Sequence, residues 1–323
     1  MIDKNGRCID YLRISITDRC NLRCIYCMPE EGVHAMRHEQ ILSFEEIERL
    51  VRIMTGLGLK HLRLTGGEPM VRRGCLELAG RLHGIPEVGS ISMTSNGILL
   101  EGKVCEAKRS GISSLNISLD SLHPDTYSRL TRGGDVSRVL RTIHEALDEG
   151  IQVKINTVPV RGYNDEDLTE IAALAKNAPL CVRFIELMPI GCGGSAQRIL
   201  CPEVMKKLED AFGKPEPDPS VRGHGPARYV KYPSFQGSVG YISAVSHEFC
   251  DNCNRIRLTA DGQLKLCLNH TKGIDLRGML RTGASDEEIL SAVRAAVADK
   301  PARHAFYEKI SDHEDRYMNA IGG

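Results

Sequence analysis

Between Tyr11 and Glu186 the chain alternates short β-type runs with amphipathic helical runs, and this alternation limits its fold more than any other feature. Strand-type runs fall at Tyr11–Thr17, Lys60–Leu64, Ser90–Thr94, Leu115–Leu119, Gln152–Val158 and Cys181–Glu186. Helical runs separate them at Ser43–Leu57, near Val71–Leu82 and Gly102–Arg109, and at Ser137–Glu149 and Asp165–Lys176. Ser43 and Glu46 have the spacing of a capping box at the start of the first helix. About six βα units of this kind predict an α/β fold with a parallel sheet.

The strands have two unlike faces. Side chains alternate along a strand, so Leu12, Ile14 and Ile16 oppose Arg13, Ser15 and Thr17. Arg63 lies between Leu62 and Leu64, and Arg183 between Val182 and Phe184. The other runs set Ser92 and Thr94, Asn116 and Ser118, and Lys154 and Asn156 against apolar neighbours. Helices covering a parallel sheet take its apolar face. The polar, basic face must then line a lumen, which predicts a curved, partial TIM-type barrel. A filled barrel would place Val, Ile and Leu there. The competing reading is an open antiparallel sheet with one solvated face, and the βα order argues against it.

Beyond Pro189 the pattern changes. The stretch Lys214–Pro226 is rich in proline and glycine, as a loop or linker is. Tyr229–Ser243 and Arg255–Leu268 read as hairpins, the second turning at Asp261-Gly262. Ser285–Asp299 reads as a helix with a second capping box, Ser285 to Glu288. At roughly 150 residues per domain, 323 residues suggest two regions, 1–190 and 191–323.

Composition removes several function classes. The 42 basic and 42 acidic residues cancel, which disfavours a globally basic binder of nucleic acid polymers. No apolar run reaches about 18 residues, so no membrane span is expected. The charged start, Met1 to Asp10, lacks the apolar core of a secretory signal, and a cytoplasmic location is expected. Thiols stay reduced there. The 12 cysteines therefore need an explanation other than disulfides.

Cys20-x3-Cys24-x2-Cys27 follows the first strand directly. Three thiolates so close together can hold an iron–sulfur cube but leave one iron without a protein ligand. The loop after a barrel strand is also where a βα barrel places its active site. A zinc site completed by His34 or His38 is the alternative. Cys250-x2-Cys253-x13-Cys267 forms a second set. Its spacing leaves open an iron–sulfur cluster or a Cys3His zinc site completed by His247 or His270. Cys8, Cys75, Cys105, Cys181, Cys192 and Cys201 show no ligand spacing and suit packing roles. Arg255 and Arg257 share one face of a strand beside the second set, and paired guanidiniums suit a phosphate or purine ligand.

Cys20, Cys24 and Cys27, with Tyr26 beside the third, resemble the radical S-adenosylmethionine superfamily. Within it, YLRISITDRCNLRCIYCMP from Tyr11 to Pro29 is similar to the GTP 3′,8-cyclase family of molybdenum cofactor biosynthesis. So are RLTGGEP from Arg63, NISLDSL from Asn116, VKINTV ending at Val158, RFIELMP from Arg183 and FCDNCNRIRLTADGQLKLCL from Phe249. The terminal Gly322-Gly323 pair also matches, and the resemblance spans nearly the whole chain. A short glycine-rich stretch at Gly191–Leu200 and the absence of tryptophan depart from the family pattern.

The resemblance implies two [4Fe-4S] clusters, on Cys20, Cys24 and Cys27 and on Cys250, Cys253 and Cys267. The smaller C-terminal region would close the barrel and carry the second cluster. S-adenosylmethionine would be bound by Tyr26, Gly67, Ser118 and Met188. GTP would be held by Arg13, Arg63, Thr94, Lys154, Arg255 and Arg257, with Arg183 nearby. Cleavage of S-adenosylmethionine would give a 5′-deoxyadenosyl radical that takes hydrogen from C3′ of GTP, and C3′ would then bond to C8. The product would pass to cyclic pyranopterin monophosphate synthase. An external electron donor is needed, and a homodimer is compatible with the family. The Gly-Gly tail would enter the active site, although Asn319-Ala320 offers it little anchorage. The rival enzyme reading is a peptide-modifying radical enzyme with an auxiliary cluster. The rival from another class is a non-catalytic zinc or iron–sulfur interaction protein.

Overall fold

The structure, a computed structural model, describes residues 1–194, 196–220, 223–247, 249–306, 314 and 316–322. Its first half is built as β1 (Tyr11–Ser15), α1 (Phe44–Thr55), β2 (His61–Thr65), α2 (Cys75–His83), β3 (Ser90–Ser95), α3 (Val104–Arg109), β4 (Ile112–Ser118), α4 (Pro124–Thr131), α5 (Val136–Asp148), β5 (Gln152–Thr157), α6 (Leu168–Asn177) and β6 (Cys181–Ile185). The second half adds α7 (Cys201–Phe212), β7 (Glu216–Pro217), β8 (Arg228–Lys231), β9 (Ser238–Ile242), β10 (Arg255–Leu258), β11 (Gln263–Lys265), β12 (Gly273–Asp275), α8 (Leu276–Arg281), α9 (Asp286–Ala298) and α10 (Met318–Ile321). Both capping boxes form. Ser43 accepts from the Glu46 N–H at the start of α1, and Ser285 from the Glu288 N–H at the start of α9.

Among the described residues, eight strands run parallel in the order β10-β1-β2-β3-β4-β5-β6-β9. The anticipated hairpins are present, β8–β9 and β10–β11. One strand of each joins the parallel sheet, β9 beside β6 and β10 beside β1. The two C-terminal hairpins thus extend the six-stranded frame from both of its edges. Helices α4 and α7 add to the helical runs read from the sequence. Pro124 starts α4 at a position where proline is well tolerated, and Pro202 plays the same part in α7.

The apolar face of each strand packs under the helices. Leu12, Ile14, Leu62, Leu64, Leu115, Ile117, Val153, Ile155, Val182 and Phe184 belong to one continuous core with Ile47, Leu50, Leu78, Val139 and Ile171 of the helices. Fully burying such a side chain is worth about 1.5–3 kcal/mol, so this face fixes which way every strand points. The polar face is left for the lumen.

Candidate active site

Strand direction places the two cysteine sets. Cys20, Cys24 and Cys27 follow the C-terminal end of β1. Cys250 and Cys253 precede the N-terminal end of β10, which is parallel to β1. Cys267 follows β11, which is antiparallel to β10 and so returns to that same end. The sets therefore sit at opposite mouths of the barrel, and all six thiols line one cavity between them.

None of the 12 cysteines forms a disulfide. Burial pushes the Cys20 thiol up to about 11 and the Cys27 thiol up to about 12, the latter with help from Cys20 and Cys192. Burial, then Cys27, Asp120 and Cys20, pushes Cys24 well above the thiol range. Buried thiols that raise one another in this way need a positive core to become thiolates, which is what an iron–sulfur cluster supplies. At the second set burial opposes ionisation of Cys253, but Arg255 and Lys300 outweigh it and bring the thiol down to about 7. Among the described residues, no three His, Cys, Asp or Glu side chains gather as one metal ion requires. The histidines proposed for zinc point elsewhere. His34 and His38 are exposed, His247 pairs with Arg228 at 2.6 Å, and His270 faces the Arg303 carbonyl at 3.2 Å. The donor set fits clusters, which take one thiolate per iron, better than a single zinc ion.

Sheet register builds the basic lining. Arg13 on β1 lies opposite Arg63 on β2 and opposite Arg257 on β10, so three guanidiniums stand side by side at one level. Arg255 enters one layer below, opposite Tyr11. Burial lowers the affinity of Arg13 for its proton, and Arg257 and Arg63 lower it further. Burial also brings Arg257 down to about 10, with Arg255 adding to the effect. Like charges directly opposite across a sheet repel, so an anion in the lumen would be favoured at this row. Buried polar atoms in the same wall also lack protein partners. Thr94 Oγ1 and the Tyr11 hydroxyl make no hydrogen bond among the described residues. Such orphans are rare and point to a missing ligand or water. Arg183 is held instead within the wall, donating to Asn156 Oδ1 at 2.9 Å through Nε and to Asn116 Oδ1 at 2.5 Å.

Tyr26, Gly67, Ser118 and Met188 line the cavity on the side of the first cysteine set. Gly67 must be glycine, because a Cβ there would stand 2.3 Å from the Arg19 carbonyl oxygen. That close approach lets the Gly67 and Glu68 N–H groups bond Thr17 and Arg19, fixing the entry to the cysteine loop. Two carboxylates that the sequence reading missed complete this side. Glu68 accepts from the Asn96 and Met70 N–H groups and from Ser95, and burial raises it to about 7. Asp120 receives the Tyr26 hydroxyl at 2.5 Å and the Val158 N–H at 2.8 Å.

Lys154 is placed differently from the other basic residues of the lumen face. It lies on β5 with its neighbours but does not line the cavity. The loop from Gly223 to Pro226 intervenes. Gly225 and Pro226 line the cavity, and a Cβ on Gly223 would come within 2.7 Å of Lys154 Nζ. The tail also differs. Asn319 is a firm anchor, buried, with its side chain donating to the Asp18 carbonyl at 2.8 Å. Its backbone N–H bonds the Cys27 sulfur. Gly322 then reaches Ser15 and Thr65 at the ends of β1 and β2, while Gly323 lies outside the described residues. Sequence spacing carried no sign of Asn319, whose partners are about 300 positions away along the chain.

Comparison with known proteins agrees with this geometry. Residues 14–175 match the family model of the Radical SAM superfamily, and residues 180–306 match that of Molybdenum Cofactor Synthesis C. The chain is 46% identical to the GTP 3′,8-cyclase of Pelotomaculum thermopropionicum, with each chain covered in full. It is 43% identical to that of Desulforamulus reducens and 41% identical to that of Clostridium perfringens, again over the full length of both. Among solved structures, Streptococcus suis SuiB bound to S-adenosylmethionine superposes with a TM-score of 0.63 at 13% identity, covering 87% of this chain and 67% of that one. That likeness concerns the fold. With a parallel α/β barrel frame, a three-cysteine loop after its first strand and full-length relatives of one kind, the chain belongs to the GTP 3′,8-cyclase family of the Radical SAM superfamily.

Proposed function

We propose that the chain converts GTP to its 3′,8-cyclised form, the first step of molybdenum cofactor biosynthesis. Residues 1–190 would form the barrel core and residues 191–323 the closing region, whose β9 and β10 extend the sheet. The observation that carries the substrate reading is the row Arg257–Arg13–Arg63 at one level of a lumen with a cysteine set at each mouth. A nucleoside triphosphate brings about four negative charges, and burying them is costly unless they are paired. Arg255 and Thr94 extend the contact along the same wall. Lys154 would join only if the loop at Gly223 withdraws.

Superfamily membership implies a [4Fe-4S] cluster and S-adenosylmethionine, and Cys20, Cys24 and Cys27 would hold that cluster. When bound, cluster and S-adenosylmethionine together supply a carbon-centred radical able to remove hydrogen from a sugar carbon. The protein's part is placement. Tyr26, Gly67, Ser118 and Met188 would hold S-adenosylmethionine at the mouth where β1 ends, with Asp120 fixing the Tyr26 ring. The arginine row would set the triphosphate deeper in the lumen, and the tail would shield the mouth from water. Cys250, Cys253 and Cys267 would carry a second [4Fe-4S] cluster at the opposite mouth of the same cavity. The chemistry requires an electron donor, a following enzyme would take the cyclised nucleotide, and a cytoplasmic setting suits it. Among the described residues, no helix is long and apolar enough to cross a membrane.

A binding series tests the triphosphate role. Affinity should fall stepwise from GTP through GDP and GMP to guanosine, while S-adenosylmethionine binding stays constant. Guanosine binding as tightly as GTP would remove the arginine row from the substrate site.

A further inference from the structure

Lys300 is a buried lysine that neither the sequence nor the reaction calls for. It follows α9 directly, is only 2% exposed and lines the cavity. Its ammonium donates to the Leu266 carbonyl, one residue before Cys267. Among the described residues, no carboxylate pairs with it. The negative groups it faces are the thiols of Cys253 and Cys267, and the cations beside it are Arg7 and Arg255. A buried ammonium with no counter-charge is costly. Three thiolates on a cubane leave net negative charge on the cluster, which is the counter-charge this site would provide.

The position of Lys300 is fixed by the start of the chain. Arg7 is buried and donates to the carbonyls of Pro301 at 2.7 Å, Ala302 at 2.9 Å and Cys250 at 2.9 Å, and also, at 3.4 Å, to that of Lys300 itself. Asp3 holds the Arg7 Nε at 2.6 Å, and the Asn5 amide reaches the Lys300 carbonyl at 3.3 Å. One guanidinium thus ties the backbone under Lys300 to the loop that presents Cys250. Such an anchored charge cannot swing away to solvent.

We propose that Lys300 is a positioning residue for the second cysteine set: a fixed buried cation that offsets the charge of the cluster on Cys250, Cys253 and Cys267 and raises its reduction potential. This rests on the second-cluster reading above. Removing a positive charge beside a cluster makes the added electron less favourable, so the potential should fall.

The test uses the full-length chain with Cys20, Cys24 and Cys27 replaced by alanine, so that about four irons report the second set alone. In that background Lys300→Met should keep its iron. Its potential, followed by the electron paramagnetic resonance signal of the reduced cluster, should drop by at least a tenfold change in the reduced-to-oxidised ratio, about 59 mV for one electron. Lys300→Arg should stay near the parent potential. An unchanged potential in an iron-loaded Lys300→Met protein overturns the proposal. If Lys300→Met loses its iron, recovery of iron in Lys300→Arg supports the proposal and continued loss overturns it. A parent background that binds no iron is a separate failure, that of the second cluster itself, and the proposal falls with it.

Discussion

The Arg257 guanidinium donates to the Gly322 carbonyl across 2.7 Å, so one side chain belongs both to the basic row and to the docked tail. The proposed substrate site and the tail are therefore coupled through a single group. Replacing Arg257 with methionine removes a charged donor worth about 1.5–3 kcal/mol. GTP affinity should fall roughly 10- to 100-fold in an anaerobic titration, while S-adenosylmethionine affinity stays within about twofold. Arg13→Met should act in the same direction. Unchanged GTP affinity in both variants would remove the row from the substrate site.

The tail should loosen when Asn319 is replaced by alanine. Its side chain is buried against the Asp18 carbonyl, and losing that bond leaves a buried acceptor unsatisfied at a cost of about 1–3 kcal/mol. Limited proteolysis should then cut the C-terminal segment about tenfold faster or more, with the barrel intact. Equal cleavage rates would show that Asn319 does not hold the tail.

The cysteines should divide by role. Cys24→Ala should bring iron to about half its parent value and abolish formation of 5′-deoxyadenosine. Cys75 is buried in α2 among apolar side chains, so Cys75→Ala should keep the full iron content. Anaerobic iron and sulfide counts on both variants check this. Full iron in Cys24→Ala would contradict the assignment of the first set.

Glu68 gives the apo protein a pH dependence. Its folded pKa is raised by burial from 4.5 to about 7, so the native state holds a proton that the unfolded state releases. That contribution is fully present below about 4.5 and is lost as pH rises through about 7, a change of about 3 kcal/mol at most. Denaturant midpoints of the apo protein should decline across this window, and Glu68→Gln should reduce the decline, leaving the part due to Asp120, which burial raises to about 6. A parallel decline in the variant would assign it to other groups.

Much of this site was legible because strand periodicity is local. Arg13, Arg63 and Thr94 fall on the lumen face by alternation alone, and Cys20, Cys24 and Cys27 by spacing. Register was not legible. That Arg13 stands between Arg63 and Arg257 depends on β10 joining β1, a pairing between positions more than 240 residues apart along the chain. Lys154 obeys the alternation yet is separated from the cavity by the loop at Gly223, which no periodicity describes. Arg7, Lys300 and Asn319 act through backbone carbonyls far away in sequence, and such bonds leave no pattern in residue type.

The most direct test is a single anaerobic reaction of the reconstituted protein with GTP, S-adenosylmethionine and a reductant. 5′-Deoxyadenosine and a 3′,8-cyclised nucleotide should appear together in equal amounts. 5′-Deoxyadenosine without consumption of GTP would contradict the proposed cyclisation.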